Sequence, residues 1–74
     1  MEYYERIRQL REDRDLSQEF VASLLHVAQK TYSDYELGKT RIPVPSLLYL
    51  AKYYNVSMDY LCGISDVKNE YPKK

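Results

Sequence analysis

What most constrains this chain is how often it is interrupted. Asp15-Leu16-Ser17, His26-Val27-Ala28, Gly38, the Pro43-Val44-Pro45 stretch, Asn55 and Gly63 are all turn or helix-end signals. The segments between them are short, so no helix can exceed roughly four turns. Apolar residues within those segments recur at helical spacing, and no stretch shows the alternation of a strand. The expectation is an all-α domain of five short helices.

The first helix is expected over residues 2–14, with Tyr3, Ile7, Leu10 and Arg14 on one face. Ser17 is placed to N-cap a second helix over 18–25, because its hydroxyl can accept from a free backbone N–H. Val21, Ala22 and Leu25 form the core face of that helix, and Phe20 and Leu24 add a second apolar stripe. A three-residue turn leads to a third helix over 29–37, with Val27, Tyr32 and Tyr35 facing inward and Gly38 beyond its end. Residues 39–45 read as an extended linker, since each proline restrains its predecessor. Pro45 would open a fourth helix over 45–54 as its first residue. There Leu47, Leu50, Ala51 and Tyr54 make the buried stripe, and Asn55 closes the helix in the left-handed region. Ser57 would cap a fifth helix over 58–62, with Asp59 favourable at its start and Gly63 ending it. Residues 1–65 make the domain, and the polar stretch 66–74 is expected to be a mobile tail.

At 74 residues the chain is near the lower limit for an independent core, although 45% of its residues are apolar. It has no apolar run of membrane-spanning length, and Met1 to Arg6 does not resemble a secretory leader. A lone cysteine, Cys62, can form neither an intramolecular disulfide nor a zinc site, and reads as a small packing residue. Together these features point to the cytoplasm. His26, the one histidine, has no co-ligands for a metal. No nucleophile–base pair and no glycine-rich phosphate loop is present, which excludes the common enzyme classes and leaves no cofactor or metal to expect. Nine tyrosines suggest base stacking, but Tyr32, Tyr35 and Tyr54 fall at core spacing. Eleven basic residues balance eleven acidic ones, which argues against a strongly basic binding face. Their distribution is uneven, however. Glu12, Asp13 and Asp15 gather at the end of the first helix, whereas Lys39-Thr40-Arg41 is a compact basic loop.

Two helices joined by a three-residue turn suggest a helix-turn-helix, and particular residues strengthen the reading. Leu16-Ser17-Gln18-Glu19-Phe20-Val21-Ala22, Leu25-His26-Val27, and Thr31-Tyr32-Ser33-Asp34-Tyr35-Glu36-Leu37-Gly38-Lys39 stand in register. So do Ile42-Pro43, Leu47 to Ala51, and Tyr53 to Gly63. Over roughly residues 4–64 the chain resembles the phage Cro/CI-type (XRE-like) helix-turn-helix regulators. The resemblance implies a lambda-repressor-like, five-helix domain with its helix-turn-helix in helices 2 and 3. It implies a sequence-specific transcriptional regulator, a repressor acting as a homodimer on a palindromic double-stranded DNA operator. Ala22 would lie where the two motif helices cross, and Val27 would plug the gap between them.

For a third helix starting at 29, residues Gln29, Lys30, Ser33 and Asp34 share the outward face and are the candidate base readers. Gln pairs with adenine, Lys with guanine, and a carboxylate with the cytosine amino group. Thr31 is a candidate for a phosphate or a thymine methyl. By resemblance Gln18 contacts the DNA backbone and buttresses the recognition helix, while Lys39, Thr40 and Arg41 grip phosphates. Arg11 and Glu36 match positions that pair between the first and third helices. Three residues depart from the family pattern. His26 stands where glycine is frequent, Ala28 where a Ser or Thr N-cap is usual, and Asp34 adds a negative charge to the reading face. Surplus apolar groups in helices 4 and 5 (Tyr49, Tyr53, Met58 and Tyr60) point to a dimer contact there. Zero net charge, Asp34, Phe20, Leu24 and Tyr53 favour an alternative, a protein-interaction module such as an antitoxin-like or anti-regulator domain.

Overall fold

The computed structural model describes residues 2–63. Over that range the chain forms α1 (Tyr3–Asp13), α2 (Gln18–Leu24), α3 (Gln29–Glu36), α4 (Val44–Tyr54) and α5 (Met58–Leu61). No strand occurs among the described residues. The expected domain boundary at 65 and the tail 66–74 lie outside them.

Local chemistry accounts for the helix starts. The Glu2 backbone N–H donates to Glu5 Oε1 at 3.0 Å ahead of α1. Ser17 Oγ accepts from the Phe20 N–H at 2.9 Å and Ser57 Oγ from the Tyr60 N–H at 3.0 Å, satisfying donors that have no partner within α2 and α5. Ala28, the N-cap of α3, supplies no such bond. The fourth helix begins one residue before the expected 45: Pro43 is the N-cap, Val44 the first helical residue and Pro45 the second. The second backbone N–H of a helix is also without an intrahelical acceptor, so a proline there removes nothing. The restriction on a residue before proline is a bias that the packing of α4 overrides.

Five exits use left-handed backbone, Gly63 (φ 81°) after α5 among them. Asp15 (φ 55°), His26 (φ 59°) and Asn55 (φ 57°) follow α1, α2 and α4, and all three are side chains that tolerate this region better than most. His26 therefore takes the conformation that glycine holds in related turns. Gly38 (φ 75°) follows α3; the backbone there favours glycine, and a Cβ would stand 3.1 Å from the Tyr4 ring, which would have to give by a few tenths of an ångström.

The core draws on every helix: Ile7 and Leu10, Val21 and Ala22, Tyr32 and Tyr35, Leu47, Leu50, Ala51 and Tyr54, Tyr60 and Leu61. Ile42, from the expected linker, and Val56, between α4 and α5, also belong to it. α2 packs on α3, α1 touches both α3 and α5, and α4 packs on α5. Arg14 is not a core residue. It lies beyond the end of α1, exposed, with Nη2 donating to the Tyr54 carbonyl at 2.9 Å. Arg6 is buried instead, its guanidinium 3.9 Å from the centre of the Tyr60 ring, where attraction to the π face offsets part of the cost of burial. Leu25 caps α2 and is half-buried, and Leu37 lies beyond α3 and is exposed. Tyr60, expected at a dimer contact, is buried under Arg6 and is closed to a partner; Met58 is half-buried.

Candidate functional site

α3 has two chemically distinct sides. Tyr32 and Tyr35 point into the core, with their rings edge-on at 6.3 Å. On the other side Gln29 and Lys30 are exposed at the helix start, and Thr31, Ser33 and Asp34 are half-buried. Lys30 Nζ stands 3.8 Å from Asp34 Oδ2, one helical turn along.

The setting of α3 against α2 depends on small and apolar groups at the turn. Ala22 is buried on α2, the helix that packs on α3, and its carbonyl accepts from the Val27 N–H at 3.0 Å, which folds the turn back on α2. Val27 packs half-buried against the core. A larger residue at position 22 would drive the helices apart.

A charged cluster ties α1, α2 and α3 together. Arg11 Nε donates to Glu36 Oε2 at 2.7 Å and Nη2 to Oε1 at 3.1 Å, a two-pronged pair. Arg11 Nη1 also donates to the Leu16 carbonyl at 2.8 Å, and Gln18 Nε2 to Glu36 Oε1 at 3.0 Å. The Glu36 side chain is only 2% exposed and that of Arg11 13%. Burial opposes ionisation of Glu36, but the hydrogen bonds from Arg11 and Gln18, with the Arg11 charge, outweigh it and hold the carboxyl below its ordinary range. Gln18, assigned to the DNA backbone, is half-buried, and its amide N–H bond is directed at Glu36. That bond joins the start of α2 to the end of α3.

Lys39, Thr40 and Arg41 are exposed on the segment after α3. Backbone bonds hold this segment: the N–H groups of Lys39 and Thr40 both donate to the Asp34 carbonyl, at 3.0 and 3.4 Å. The Ile42 N–H donates to the Tyr3 hydroxyl at 3.4 Å. Sequence reasoning missed Tyr4 and the tie from Tyr3 to this segment. Helical periodicity places Tyr3 on the core face but carries no information about a partner 39 residues away.

On α4, Val44, Leu48, Tyr49 and Tyr53 are exposed, and the Tyr49 and Tyr53 rings stack at 6.4 Å. Among the described residues no cluster of His, Cys, Asp or Glu is placed to hold a metal ion, and no helix is long and apolar enough to cross a membrane.

Comparison with known proteins agrees with this geometry. A family model described as helix-turn-helix matches residues 7–61. The chain is 38% identical over 64 residues to the uncharacterized HTH-type transcriptional regulator YobD of Bacillus subtilis (strain 168), covering 86% of this chain and 57% of that protein. It is 39% identical over 61 residues to the cryptic phage CTXphi transcriptional repressor RstR of Vibrio cholerae, covering 82% and 55%. It is 36% identical over 61 residues to the HTH-type transcriptional activator BcrR of Enterococcus faecalis, covering 82% and 30%. The chain thus spans from under a third to somewhat over half the length of these curated relatives.

Proposed function

Because the chain belongs to the helix-turn-helix family that matches it over residues 7–61, we propose that it is a sequence-specific double-stranded DNA-binding transcriptional regulator, a repressor, and not an enzyme. One observation carries the reading. α3 buries Tyr32, Tyr35 and Glu36 on one side and offers Gln29 and Lys30 on the other, directly before an exposed Lys39-Thr40-Arg41 segment. Such a helix can lie in the major groove with its N-terminal side chains at base edges, while the following loop sits beside phosphates. Gln29, Lys30, Ser33 and Asp34 are the proposed readers. Lys39, Thr40, Arg41 and Thr31 are the proposed backbone contacts, with Gln18 at the start of α2. A regulator of cytoplasmic DNA acting as a homodimer on a palindrome fits the exposed α4 face, Val44, Leu48, Tyr49 and Tyr53, as the surface between two copies.

Reading and gripping separate experimentally. Gln29→Ala is expected to cost about 1–3 kcal/mol on the best operator and little on random duplex, relaxing one base position. Arg41→Ala is expected to weaken both alike and to lower the salt slope by about one unit. Titrations of each variant against both duplexes at several salt concentrations check this, with sedimentation reporting the oligomer. A second reading, a protein-interaction module, draws on the zero net charge and the exposed apolar face of α4. The absence of any salt-dependent DNA binding by the unaltered protein would favour it.

A further inference from the structure

The segment that carries Lys39, Thr40 and Arg41 is attached to the start of α1 as well as to the end of α3. The Tyr3 hydroxyl accepts from the Ile42 N–H at 3.4 Å. The Tyr4 ring lies against Gly38, close enough that a Cβ there would meet it at 3.1 Å. The two rings brace each other edge-on, with centres 5.6 Å apart. Tyr3 also lines, with Arg41, Ile42, Leu47 and Cys62, a groove of about 300 Å³ beneath the segment. Ile42 itself is buried, so the segment is pinned at Gly38 by Tyr4 and at Ile42 by Tyr3, and its three exposed polar residues lie between those two points.

We propose that Tyr3 and Tyr4 are positioning residues for DNA binding: by clamping the backbone at Gly38 and Ile42 they hold Lys39, Thr40 and Arg41 against the phosphates. The inference rests on the DNA-binding reading above. Neither tyrosine touches DNA in this scheme. Their contribution is to keep all three side chains within reach of the phosphates at once; a loosened loop makes those contacts only part of the time and so displaces fewer counterions on average.

The test uses the full chain with Tyr3→Phe, which keeps the ring and removes only the acceptor for Ile42, and Tyr4→Leu, which keeps apolar bulk but removes the plate against Gly38. Both are titrated with operator and random duplex at several salt concentrations, and amide hydrogen exchange at Ile42 is followed without DNA. For Tyr3→Phe the expected results are faster exchange at Ile42 and a loss of affinity of about two- to ten-fold. That loss should be equal on both duplexes, with a shallower salt slope and unchanged base preference. Tyr4→Leu should show the same pattern. A merely structural role would lower the melting temperature and leave the salt slope of the folded protein where it was. Unaltered affinity in both variants, or a changed base preference, overturns the proposal while leaving the DNA-binding reading intact. If the unaltered protein shows no salt-dependent binding to any duplex, that reading fails and the positioning role fails with it. In that case the exchange rates still report whether the tyrosines hold the loop.

Discussion

α3 takes part in two ion pairs, one on each side, and they differ in almost everything but charge. On the inner side, Arg11 and Glu36 meet through two hydrogen bonds, with 13% and 2% of their side chains exposed. On the outer side, Lys30 and Asp34 stand 3.8 Å apart with 87% and 24% exposed. Water screens the outer pair, and holding two side chains together offsets most of its attraction, so it contributes little to stability. The inner pair is so far withdrawn from water that the Glu36 carboxylate is costly without its partner. The same two charges hold a helix in place on one face and remain free to rearrange toward a ligand on the other.

The largest effect should come from breaking the inner pair at the better-exposed end. Arg11→Ala leaves a buried carboxylate with only neutral partners and is expected to cost about 3–5 kcal/mol in urea unfolding. Glu36→Ala leaves an arginine that can still reach water and should cost less. Replacing both together, as Arg11→Met with Glu36→Leu, should cost less than Arg11→Ala alone. If Arg11→Ala and Glu36→Ala combined in one chain lose the sum of the two single losses, the two side chains are not energetically coupled.

Acid acts on the same pair. The Glu36 carboxyl is held below its ordinary value in the folded chain. Its contribution to stability is therefore present above the unfolded value and lost as pH falls through the lower, folded one. Unfolding midpoints measured from about pH 6 to pH 2 should decline steeply only in the acidic part of that range. In Arg11→Ala the decline should start at higher pH. A common profile for the two proteins would detach the acid response from this pair.

The packing beneath the inner side makes a smaller, uncharged test. Ala22→Leu adds bulk at the buried crossing of α2 and α3 and should cost about 1–3 kcal/mol. An unchanged melting temperature would mean that the crossing is not tightly packed.

These contrasts also mark how far the sequence could be read. The outer pair is visible as i,i+4 spacing, and helix starts at Ser17 and Ser57 follow from local chemistry that the structure reproduces. Left-handed Asn55 is legible for the same reason, since a helix end is a short-range event, whereas the conformation of His26 follows only from the resemblance. Arg11 and Glu36 lie 25 residues apart, so only resemblance to other chains suggested their pairing. Nothing in the spacing indicated that Gln18 would bond to Glu36, or that Tyr3 and Tyr4 would hold the loop after α3. Arg6 is instructive in the opposite direction. Charged residues are rarely buried, and the apolar spacing of α1 runs on to Arg14 and does not mark Arg6. The structure buries Arg6 because an aromatic ring from α5 lies across it, and such an arrangement is settled only when the helices dock.

The smallest expected change in stability is on the outer side, and it comes with the opposite expectation for DNA. Asp34→Asn removes a charge whose partner, Lys30, is almost fully in water, so the unfolding free energy should move by no more than about 0.5 kcal/mol. Because Asp34 is half-buried and its backbone carbonyl holds Lys39 and Thr40, the near-isosteric asparagine leaves those bonds in place. What changes is the field on the proposed reading face. Asp34 repels phosphates and also occupies Lys30, so its neutralisation should raise affinity for random duplex and steepen its salt dependence as Lys30 is released. At the operator the gain should be smaller, because the asparagine amide oxygen is a weaker acceptor for a cytosine amino group than the charged carboxylate it replaces. The ratio of the two affinities therefore falls even though both rise or hold. Titration of Asp34→Asn against both duplexes measures that ratio. An unchanged ratio would make Asp34 a bystander on the outer face, and a large loss of stability would show that the outer pair resembles the inner one after all.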